Sequence, residues 1–103
     1  MTVLEENQFK ALEGDWSVER LSGLLPPMLG VRKRIRGDCG ETRLGCLPGV
    51  PFYIQAHEGG VALIYLPPFS MFIDKLWPAP DGSWLGHWTL GNRRLGKFRL
   101  VRR

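Results

Sequence analysis

The sequence predicts a mainly β domain: an antiparallel up-and-down barrel, or a highly twisted sheet, of seven or eight short strands with one short N-terminal helix. Three observations carry this. Apolar and polar residues alternate with period two in run after run, as in strands with one buried and one wet face. Thirteen Gly and eight Pro punctuate those runs, as short strands joined by tight turns require. The runs recur at regular spacing over 103 residues, a length that gives one domain (1–103) its own core with little to spare. A chain of such hairpins favours closure into a barrel.

In chain order, Thr2-Val-Leu-Glu5 has the spacing of a capping box, and Val3, Phe9 and Leu12 can share a stripe. A helix is expected over about residues 3–12, ending near Gly14. The first strand, 15–21, puts Trp16 and Val18 on one face and Asp15, Ser17 and Glu19 on the other. Residues 22–30, with Pro26 and Pro27, form a loop, because proline cannot join a central ladder. The second strand, 31–36, sets Val31, Lys33 and Ile35 against Arg32, Arg34 and Arg36. After a turn at 37–40, the third strand, 41–47, faces Thr42, Leu44 and Cys46 inward. The fourth, 52–57, faces Phe52, Ile54 and Ala56 inward, and Glu58-Gly59-Gly60 signals a hairpin.

The fifth strand, 61–66, is apolar on both faces, so its outside needs a cover. The helix and a second copy of the chain are the candidates, and a homodimer is expected. The sixth strand, 71–77, admits either parity. The seventh, 83–90, groups Trp84, Gly86 and Trp88 and turns His87 away. The eighth runs from about 95 to 102 after Gly91-Asn92. Leu25-Pro-Pro-Met28 is echoed by Leu66-Pro-Pro-Phe69, without a true repeat.

Gly14-Asp15-Trp16 places Gly-x-Trp in the first strand of an all-β chain. It resembles the opening of the calycin barrels: lipocalins, fatty-acid-binding proteins and smaller bacterial lipocalin-like domains. The resemblance implies that a base on the last strand packs across the first-strand Trp and closes the barrel. Arg102 has the matching parity and end, with Arg99 the runner-up. The chain departs from the family in being shorter, which implies a shallow barrel and a small cavity.

Charge is unevenly placed. Residues 1–30 carry five acids and two bases, and residues 31–103 carry twelve bases and five acids. The rows Arg32, Arg34, Arg36 and Lys97, Arg99 form a basic surface that would attract nucleic acid or an acidic protein partner. Exposed aromatics for stacking single strands are limited to Tyr53 and Phe72. Two cysteines, Cys39 and Cys46, are too few for a disulfide framework, and both are expected reduced. No apolar run approaches the roughly 20 residues of a membrane span, and the acidic start lacks a signal segment, so a cytoplasmic protein is expected.

No constellation requires an enzyme. Gly91-Asn-Arg-Arg-Leu-Gly96-Lys97 fits a phosphate-loop spacing, but Phe98 stands where Ser or Thr would hold magnesium, and no helix follows. His57 and His87 point outward and, like the cysteines, lack metal-site spacing. Haem ligation through His87, as in nitrobindin-like barrels, would need the opposite parity, so no cofactor is expected. Asp15, Asp38, Asp74 and Asp81 form no visible carboxylate pair, and no serine sits in a nucleophile elbow.

Polar residues of inward parity are more informative: Arg20, Lys33, Thr42, Tyr65 and Arg102. A charge inside a small barrel is costly unless paired or wet. Arg20 and Lys33 either snorkel at the rim or hold the acidic head of a ligand. The leading expectation is a non-catalytic binding protein for a small apolar or amphipathic anionic molecule. Arg20 and Lys33 would hold its head, and Phe52, Ile54, Tyr65, Trp84 and Trp88 would line its apolar part.

Overall fold

Eight antiparallel strands close into a barrel in chain order in the computed structural model, which describes residues 9–23, 30–45 and 48–103. They are β1 Gly14–Gly23, β2 Val31–Arg36, β3 Cys39–Leu44, β4 Val50–His57, β5 Gly60–Tyr65, β6 Phe72–Pro78, β7 Trp84–Leu90 and β8 Arg93–Arg102. Each strand pairs with the next, and β8 returns to β1 through Trp16↔Arg102, Val18↔Leu100 and Arg20↔Phe98. The expected helix appears at residues 9–12; its earlier part, the loop motif Leu25–Met28 and Cys46 lie outside the described residues.

Turn chemistry sets the register. Glu58 and Gly59 both have positive φ (35° and 84°), matching the twist of a two-residue hairpin between His57 and Gly60. Gly37-Asp38 makes another, so β3 begins at Cys39 rather than beyond Gly40. Cys39 is thus a strand residue opposite Arg36, with an exposed free thiol.

Side chains fill the lumen, as expected for eight strands. Trp16, Ile35, Val61, Leu63, Leu76 and Leu100 are fully buried, with Phe52, Ile54, Trp84 and Phe98 nearly so. The parity of β6 is resolved by its partners: Leu63↔Asp74 and Val61↔Leu76 put Phe72, Asp74 and Leu76 inside. Gly86 makes room for this packing, since a Cβ there would lie 2.5 Å from the Phe98 ring and 2.7 Å from Leu76.

One end is capped. Phe9 and Leu12 join the core, and the Trp16 indole Nε1 donates to Leu12 O at 2.8 Å. Arg102 lies over the Trp16 ring, 4.2 Å from its centroid, and donates to Glu13 O and Ala11 O at 2.8 and 2.9 Å. The described helical residues, 9–12, therefore serve the capped end. Outside β5, Ala62 is buried and Ile64 half-buried between the cross-strand neighbours Tyr53 and Ile73.

The other end is a mouth where β1, β3, β5 and β7 finish. Leu44, Leu66, Phe69, Met71 and Leu90 are exposed around it. No helix among the described residues is long and apolar enough to cross a membrane.

Candidate functional site

A polar network lies in the lumen below the mouth. Lys33 on β2 faces Asp74 on β6, four strands away in a ring of eight, so their side chains meet across the barrel. Lys33 Nζ donates to Asp74 Oδ2 at 2.9 Å, to Tyr65 Oη at 2.8 Å and to Thr42 Oγ1 at 2.6 Å, which uses all three ammonium protons. Tyr65 donates to Asp74 Oδ2 at 2.7 Å. The rings of Phe52, Tyr65 and Phe98 stand 5.5, 5.5 and 5.7 Å from Nζ and add cation–π attraction.

Such a pair survives burial because its partners replace water. Burial alone would lower the Lys33 pKa, but Asp74 and Tyr65 outweigh it and hold the ammonium charged well above the ordinary lysine value. Burial, and then the Asp74 carboxylate, push the Tyr65 hydroxyl up to about 12.

Proton counting orders the remaining bond. Tyr65 spends its single proton on Asp74, an acceptor only, so the 2.8 Å contact between Thr42 Oγ1 and Tyr65 Oη has Thr42 as donor. Thr42 Oγ1 accepts from Lys33 and retains one lone pair. Thr42 also lines a cleft of about 150 Å³ at the mouth, together with Val50, Tyr65, Phe69, Phe72 and Trp88. Phe72 and Trp88 stack there at 5.5 Å, 15° from parallel.

The expected ligand residues therefore separate. Tyr65 and Trp88 line this cleft. Phe52, Ile54 and Trp84 are packed into the core instead, because the lumen is filled. Lys33 is inside as expected, but its counter-charge comes from Asp74. Arg20 does not converge with it. The β1–β2 ladder ends at Ser17↔Arg32, a bulge follows Arg20, and its exposed guanidinium donates to Gly23 O at 2.9 Å.

Sequence reasoning missed Asp74. Within its strand Asp74 shares parity with Phe72 and Leu76, and an inward Lys33 demands an acid; together those signals point to it. His87 lies outside, half-buried against Trp77 at 5.1 Å, its pKa lowered by burial and then by Arg94, Lys97 and Lys75. Among the described residues no three His, Cys, Asp or Glu side chains gather as a metal site.

The basic surface is also rearranged. Arg32, Arg34 and Arg36 are exposed on β2, and Arg34 pairs with Asp15 at 3.1 Å. Across β1, however, the register sets Val101 and Arg103 near them, while Arg99 faces Glu19 and Lys97 lies beyond the bulge. Arg43 on β3, directly opposite Arg32, and Arg103 complete the cluster.

Comparison with protein families, with curated proteins and with solved structures finds no match to this chain.

Proposed function

We propose that the barrel is a calycin-like, non-catalytic binding protein for a small apolar molecule bearing one hydrogen-bond donor, seated in the mouth cleft. The carrying observation is Thr42, whose Oγ1 has one lone pair left by its two hydrogen bonds, in the lining of an otherwise apolar cleft. About 150 Å³ matches the size of an apolar cavity that admits benzene. The calycin reading is supported by the up-and-down closure and by Arg102 over Trp16.

An anionic head is disfavoured on physical grounds. Lys33 is neutralised by Asp74, and every proton of the network is already directed inward, so a carboxylate would find an acceptor and no donor. The expected homodimer has the outer row Tyr53, Ile64, Ile73 as its support.

Phenol, toluene and benzoate, titrated by ligand-observed NMR, test this reading. Phenol should bind best and benzoate worst. Thr42→Val should remove the advantage of phenol over toluene while toluene still binds. Equal binding of all three, or a Thr42→Val protein that keeps the phenol preference, would overturn it.

A further inference from the structure

We propose a phosphate-binding site on the outer wall of the barrel, built by Arg32, Arg43 and Arg103. Arg32 and Arg43 are directly opposed on β2 and β3, so two like charges share one face at cross-strand distance. That arrangement is destabilising unless something negative joins it. Among the described residues the Arg32 side chain has no hydrogen-bond or ion-pair partner.

The third arginine is placed by the barrel's closure. Arg103 N donates to Asp15 O at 3.0 Å, and its guanidinium donates to Ser17 Oγ at 3.3 Å, across from Arg32. The three surround a concave depression of about 530 Å³ that also takes in Arg34 and Asp15. Local acids do not balance it. Asp15 is engaged by Arg34, and Glu41 reaches Arg43 only at 3.5 Å. Four guanidinium side chains against two side-chain carboxylates leave an excess of two positive side-chain charges, which suits a phosphate monoester dianion. Planar guanidiniums from β2, β3 and the residue that follows β8 suit bidentate bonds to its oxygens. This site lies outside the lumen and does not depend on the mouth cleft.

Inorganic phosphate, titrated into the labelled full chain against chloride at equal ionic strength, tests the site by amide NMR. Saturable shifts at Ser17, Arg32, Arg43 and Arg103 are expected, weakened about tenfold or more by Arg32→Ala or Arg43→Ala. Identical shifts with chloride, or shifts that survive both substitutions, would overturn it. Melting gives a second measure whose sign separates binding from structural roles. In chloride, Arg32→Ala should melt at or above the wild type, since repulsion is relieved; phosphate should raise the wild type only. A variant that melts lower in chloride would make Arg32 structural and sink the proposal. Glycerol phosphate and vesicles containing phosphatidic acid then separate a soluble monoester from a lipid headgroup. In either case competition by inorganic phosphate supports the site, and its absence counts against it.

Discussion

Lys33 Nζ and Asp74 Oδ2 meet 2.9 Å apart inside the barrel, each side chain only 4% exposed, on strands that face one another across the lumen. The pair is a strut between opposite walls. Tyr65 and Thr42 tie it to β5 and β3.

Removing one end of the strut should be worse than removing both. Lys33→Met leaves the Asp74 charge buried and unpaired, and should cost about 3–5 kcal/mol in urea denaturation at neutral pH. Combining it with Asp74→Leu should restore most of that loss. A double variant as unstable as the sum of the two single variants would show that the charges are not coupled.

Alkaline pH should weaken the fold through the same network. The folded-state pKa of Lys33 is raised, so its contribution is complete below the unfolded value near about 10.4 and is lost as pH climbs through the folded one. Tyr65 acts in the same direction: the unfolded phenol ionises near about 10, before the folded one at about 12. Urea midpoints should hold steady to about pH 10 and then fall.

Trp16→Ala should cost about 3–5 kcal/mol, as for a large core aromatic. Arg102→Met should cost less, about 1–2 kcal/mol, by losing two bonds to carbonyls of the capping segment and the stacking on Trp16. If Arg102→Met proves the more damaging, the cap rather than the indole dominates that end. Thermal melts of the two variants decide it.

Gly86→Ala should destabilise by about 1–3 kcal/mol, because Phe98 and Leu76 already occupy the space a methyl needs. Pairing it with Phe98→Leu should recover part of the loss, measurable as a shift in melting midpoint.

Most of the architecture was legible because period-two alternation and Gly/Pro punctuation are local signals. Trp16, Val18, Lys33, Ile35, Phe52 and Ile54 could be placed inside from their own strands. The site was harder. Met71-Phe-Ile-Asp-Lys-Leu-Trp77 is amphipathic on neither parity alone, so its own pattern gave Asp74 no direction; pairing with Leu63 sets it inward. Arg20, by contrast, lies at the rim, apart from Lys33. Its parity with Val18 was right, but parity carries no information about where a neighbouring strand stops. Arg43 and Arg103 joined Arg32 through register, which no single run of sequence displays.

The Trp16–Arg102 contact joins residues 86 positions apart, in the β1–β8 seam that closes the barrel. On a ribosome, β8 is the last of the barrel's own strands to emerge. Until it does, the nascent sheet has two open edges, β1 and the newest strand, and an indole without its cap. Loop-closure entropy across almost the whole barrel is met in a single late step. Synthesis interrupted before the last strand thus leaves a sticky half-cylinder for chaperones or proteases, and no smaller working barrel.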